Sequence, residues 1–228
     1  MNQAAAATID QTMQRASEAL ARMDYIECES LCLRALAAAR EAGDWADYAR
    51  ILMPLQESRR QRRMIAAEGV VRLGSTSLAG GLETWLSHVD AGCIVVTQPH
   101  GRHDALRLHE AARAAGKHVE VLLADCDPSA PKWTLRTFTG PDVTCDIDAP
   151  PAPWVDTDEP GDAAEAHWPT PADWFLDASE RLGDAALAAV APQSTGPARV
   201  AAIEACLDAT ADHEILHQRL YDAARAIR

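Results

Sequence analysis

The sequence predicts an α/β protein: a small parallel sheet with an antiparallel edge, flanked at both ends by helical hairpins. Three observations carry this. Residues 4–67 keep a helical period without a glycine or proline before Gly43. Residues 68–148 alternate short β-rich runs with amphipathic stretches, as βαβ units do. A Pro-rich acidic run, 149–172, then separates that block from a second all-helical one, 173–228.

Within the first block (1–67), Asp10 is placed to cap a helix over "QTMQRASEALARM". Its apolar stripe is Met13, Ala16, Ala19, Leu20 and Met23. A second helix follows "DY", with Ile26, Cys28, Leu31, Cys32, Ala35, Leu36 and Ala39 on one face. Gly43 is its expected C-cap and Asp44 the next N-cap. A third helix takes "WADYARILMPLQESRRQRRMIA", where Pro54 should kink or split it. The run Arg59 to Arg63 falls near its C-terminus, where the macrodipole favours cations, and reads as a solvated basic face.

The stretch "ASEALARMDYIECESLCLRALAAAREA" resembles one tetratricopeptide repeat over about 30 residues. Ala16 stands at the small site of the first helix, "MDY" replaces the usual Gly-Asp-Tyr turn, and Cys28 and Ala35 take the small sites of the second. The resemblance implies a helix–turn–helix unit that binds a protein partner.

In the middle block (68–148), "GVVRLG", "GCIVVTQ" and "KHVEVLLAD" read as strands, and "TSLAGGLETWLSHV" and "GRHDALRLHEAARAAG" as the helices between them. "WTLRTFTG" and "DVTCDID" have no helix between them and suit an antiparallel edge. The result is a small Rossmann-like domain, whose ligands sit beyond the carboxyl ends of the strands. Three loops meet there: Gly74, Ser75, Thr76 and Ser77; Thr97 to His103, with Thr97, His100 and His103; and "DCD", beginning at Asp125. Hydroxyl residues leading into a helix offer N–H groups to an anion, so the first loop is the candidate phosphate or nucleotide site.

Residues 94–121, "IVVTQPHGRHDALRLHEAARAAGKHVEV", are similar to a strand–helix–strand stretch of the glucose–fructose oxidoreductase family, with its T-x-P and A-G-K-H-V. In that family the last strand leads to Glu-Lys-Pro, whose lysine serves in catalysis; here Glu120 is followed by Val121 and Leu122. The dinucleotide glycine fingerprint is also missing. No cofactor is expected.

The connector (149–172) carries Trp154 and Trp168, and Trp174 follows just after it, so it should pack on a surface instead of standing free. After it come three expected helices, 172–190, 196–209 and 210–227, the last capped by Thr210 or Asp212. That last helix contains His213, Glu214 and His217, spelling the H-E-x-x-H of zinc peptidases. Only eleven residues follow His217, and no downstream residue matches the usual third ligand. An amphipathic helix with histidines at the border of its stripe is the preferred reading, and no metal is expected.

Net charge is −13, concentrated in residues 151–228, which hold five basic and fourteen acidic residues. Such a surface repels polyanions, so neither nucleic acid nor anionic membrane is an expected partner. No apolar run reaches the roughly 18 residues that span a bilayer, and the N-terminus lacks the pattern of a leader, so a cytoplasmic address is the default. The six cysteines read as free, mostly buried thiols. The expected role is a non-catalytic, protein-binding scaffold; the alternatives are small-molecule binding or catalysis by the α/β domain, or a zinc hydrolase.

Overall fold

The structure, a computed structural model, describes residues 3–126, 130–161 and 169–227. Its contacts divide the chain into two compact units. One is helical and is assembled from both chain ends (1–62, 190–207 and 211–228); the other holds the sheet (63–189 and 208–210). Among the described residues no helix is long and apolar enough to cross a membrane.

The helical unit begins with α1 (Gln3–Ala21) and α2 (Tyr25–Ala42), a hairpin closed by three residues. The first helix starts seven residues before the expected cap, because the alanine run ahead of Asp10 favours helix over any competing turn. Asp10 instead pairs with Arg50 at 2.8 Å. At the turn, Met23 adopts a left-handed φ of 62° and is 70% exposed, so it leaves the apolar stripe to which its spacing assigned it. Asp24 then caps α2, accepting from the Glu27 amide, and Gly43 ends it in the left-handed conformation. The small residues Ala16, Ala19, Cys28 and Ala35 are buried, which permits close helix approach.

Asp44 caps α3 (Trp45–Glu68), accepting from the Asp47 amide. The helix is not split at Pro54: it is assigned continuously through it. From the far end of the chain come α7 (Gly196–Ala209), with Pro197 in its first turn, and α8 (Glu214–Arg225). The cap of α8 is neither Thr210 nor Asp212 but His213, whose Nδ1 accepts the Leu216 N–H at 3.3 Å.

The sheet unit follows the strand order β5-β4-β3-β2-β1-β6. Its parallel centre is β1 (Val70–Leu73), β2 (Ala91–Val96) and β3 (His118–Asp125), linked through α4 (Gly81–His88) and α5 (Arg102–Ala114). On the β3 side, β4 (Lys132–Arg136) and β5 (Thr144–Asp148) form the expected antiparallel edge. On the β1 side the connector itself contributes an unexpected strand, β6 (Asp158–Pro160), antiparallel to Val70–Arg72. Asp-Glu-Pro has no strand propensity; pairing to an open edge decides it.

Side chains alternate across the central strands. Ile94, Val96, Val119, Val121 and Leu123 pack with Leu82, Trp85, Leu86, Leu108 and Ala112 of α4 and α5. Across the sheet lies α6 (Pro171–Ala189), started by reciprocal bonds between Thr170 and Asp173. Trp174 of α6 is half-buried, meets Trp133 edge-on at 5.6 Å and donates to the Asp148 carbonyl. Trp154 is half-buried as well, whereas Trp168 lies outside the described residues. Gly92 allows close β1–β2 approach: a Cβ there would stand 2.4 Å from the Val70 carbonyl oxygen.

Candidate functional site

The loops after β1 and β2 do meet, but they meet each other. Ser75 and Thr97 are both fully buried and bond reciprocally. The Ser75 amide donates to Thr97 Oγ1 (2.9 Å), Ser75 Oγ donates to the Thr97 carbonyl (3.0 Å), and the Thr97 amide donates to Ser75 Oγ (2.8 Å). Each hydroxyl thereby satisfies buried backbone that would otherwise cost about 1–3 kcal/mol. Neither group is left for a ligand.

Two features of the structure weigh against the anion reading of Gly74 to Ser77. Helix α4 begins only at Gly81, because Gly80 and Gly81 take left-handed φ of 80° and 78° and cannot continue a helix backwards toward Thr76. Helix α4 therefore does not begin at Ser75 or Thr76. Furthermore, the chain supplies its own anion. Asp156 of the connector accepts the Thr76 amide at 2.9 Å, and its carboxylate would stand 3.0 Å from a Cβ on Gly74 (φ 120°). Buried Arg72 lies beneath, donating to Asp158 (3.0 Å) and Ser77 Oγ (3.1 Å), with Asp156 at 3.6 Å. Two carboxylates against one guanidinium leave this corner acidic, which disfavours a phosphate.

The other loop residues and their neighbours on α5 disperse. Asp125 is exposed and accepts from Arg136 Nε at 2.9 Å. His103 is exposed on the first turn of α5, and His109 packs on Phe138. Asp104 caps its own helix, accepting the Gly101 amide. Asp127 lies outside the described residues. His100 and Asp104 line a cavity.

That cavity is a cleft of about 590 Å³ between α4 and α5. Leu82, Leu86, Leu108, Ala111 and Ala114 give it apolar walls; Glu83, Asp104, Arg107 and Glu110 stand around its mouth, with Arg107 ion-paired to Glu83. Sequence reasoning overlooked it because it looked for a ligand only beyond the carboxyl ends of the strands. The available signal was Leu108, Ala111 and Ala114 at helical spacing beside three charged residues, 104, 107 and 110.

The H-E-x-x-H residues do not share one face. His213 and His217 lie in the middle of the buried stripe with Leu216, Leu220 and Ala224, not at its border, while Ile215 and Glu214 face outward. Glu214 accepts from Gln218. His213 Nδ1 is used by its cap, and His217 Nε2 donates to the Ala211 carbonyl at 3.1 Å. Burial, reinforced by the Arg59 charge, pushes the His217 imidazole down to about 3, so it is neutral near pH 7. Among the described residues no group of three His, Cys, Asp or Glu side chains is arranged to hold a metal ion.

The basic run is not a solvated face either. Arg59 and Arg62 are 5% and 2% exposed and converge on Glu29 of α2, itself 1% exposed, through bonds of 2.8 and 2.6 Å. Only Arg60 faces solvent, paired with Glu57. Arg63 joins Glu180 and the Leu176 carbonyl in the sheet unit. Beside Glu29, the buried thiols Cys28 and Cys32 differ in acidity. A hydrogen bond from Cys32 lowers Cys28, while Cys32 itself is raised by that bond and by burial.

No protein-family model matches the chain, and no curated protein or solved structure is similar to it.

Proposed function

We propose that this chain is a non-catalytic, protein-binding scaffold that engages its partner through the helical unit. One observation supports this best. Met23, Leu33, Met53 and Ile215, four of the five large apolar side chains most open to solvent among the described residues, belong to that unit, with Met53 at 67% exposure. Methionine adapts its shape to a partner at little cost, and exposed apolar groups of this size gain on being covered. The tetratricopeptide-like reading of α1 and α2 belongs with this proposal, as does the absence of a nucleic-acid partner, since Arg59 and Arg62 are spent internally. The test is cross-linking and co-purification of the full chain against a Met23→Lys/Met53→Lys variant of unchanged circular dichroism. A partner held by the parent and lost by the variant is the expected result; equal retention by both overturns the assignment to this surface.

A second reading, a small-molecule site in the sheet unit, is favoured by the α4–α5 cleft, whose volume and apolar walls are those of ligand pockets.

A further inference from the structure

The α4–α5 cleft has a chemistry that specifies the charge of its occupant. Its walls are aliphatic, and Gly80 and Gly81 place no side chain at the α4 end. Every charged group sits at the mouth, three carboxylates against one guanidinium. The guanidinium of Arg107 is already committed to Glu83, and Asp104 to the Gly101 amide. Glu110, exposed on the outer rim, makes no hydrogen bond or ion pair among the described residues. The Glu83–Arg107 pair is largely exposed and therefore weak, so Glu83 can turn to a new cation at little cost. An occupant that covers the leucines and alanines therefore meets an excess of negative charge on leaving the apolar floor.

The geometry points to a binding site for a small amphipathic cation, an ammonium or guanidinium group on an aliphatic body, its tail between Leu82, Leu86 and Leu108 and its head at Glu110 and Glu83. The inference rests on the second reading above and names its ligand class. An anionic amphiphile of the same length would bury the same tail but place its head among like charges, which costs more than it gains at a partly desolvated rim.

The experiment compares octylammonium, octanoate and octanol as probes of the full ¹⁵N-labelled chain, reading the amide shifts of residues 80–86 and 104–114. Octylammonium is expected to bind about tenfold more tightly than octanoate, a difference that narrows as salt is raised. Glu110→Lys, a change on an exposed helical surface, should remove or reverse that preference. Ala111→Trp should abolish binding of all three, and if that variant misfolds the Glu110→Lys comparison decides alone. Equal binding of the two ions, or a preference untouched by Glu110→Lys, overturns the charge assignment while leaving the cleft a ligand site. Failure of all three probes to shift these amides overturns both. An amphipathic lysine-bearing peptide that shifts them where octylammonium does not would assign the cleft to a partner's side chain and refute the small-molecule ligand.

Discussion

Glu29→Gln is the sharpest perturbation available in the helical unit. In the parent each carboxylate oxygen receives one guanidinium, at 2.8 and 2.6 Å, and all three side chains are excluded from water. Glutamine preserves shape and one acceptor, but it removes a negative charge that compensates two buried cations and turns an amide N–H₂ toward one of them. Removing one partner from a buried ion pair costs about 3–5 kcal/mol, which multiplies the unfolded fraction by roughly 10² to 4 × 10³. With a urea dependence of about 2 kcal/mol per molar, the midpoint followed by circular dichroism at 222 nm should fall by roughly 2 M. A triple variant, Glu29→Leu/Arg59→Met/Arg62→Met, should recover most of that loss, because an apolar filling escapes the desolvation penalty altogether. If Glu29→Gln unfolds within about 1 kcal/mol of the parent, the arginines reach water and the buried-triad reasoning is wrong.

Four further outcomes are expected. His217 is held neutral by burial and by Arg59, with Glu29 and the Ala211 carbonyl opposing. Its folded value of about 3 lies below that of an unfolded histidine, so stability is complete above about pH 6.5 and falls toward pH 3 by up to about 1.4 kcal/mol per pH unit. Urea midpoints between pH 7 and 4 should show this slope in the parent and lose it in His217→Gln. Ser75→Ala strips the partner from the buried Thr97 amide and should cost about 1–3 kcal/mol, read from tryptophan fluorescence during urea unfolding. Gly92→Ala drives a methyl into the Val70 carbonyl and should cost about 3 kcal/mol or more, with loss of protection from hydrogen exchange along β1 and β2. Cys28 and Cys32 should react with an aromatic disulfide reagent only as the protein unfolds, and rapid modification in the native state would contradict their burial.

The parts of the fold readable in the sequence were those in which local pattern and tertiary demand agree. Gly43 and Asp44 punctuate α2 and α3 with their own backbone chemistry, and the apolar runs of β2 and β3 are long enough to announce buried strands. What stayed hidden was set by distant partners. The strand β6 exists because Val70 to Arg72 have an open edge, and three residues ending in proline could not announce it. Arg59 and Arg62 looked like surface because their counter-ion lies thirty residues upstream. The clue was Glu29 itself, sharing the face of α2 with Cys28, Cys32 and Leu36. The candidate site misled for a related reason. Ser75, Thr76 and Thr97 have the composition of a phosphate loop, but hydroxyls satisfy neighbouring backbone as readily as a ligand, and Asp156, eighty residues away, completes the set.

The pairing of Val70 with Pro160 also governs the order of events during synthesis. The outer flank of β1 leaves the ribosome about 90 residues before its cover, an interval of roughly 5 to 20 s at ordinary elongation speeds. Throughout that time two adjacent valines stand on a bare strand that any other nascent polypeptide could join. Pausing ahead of Asp158 would lengthen this exposure.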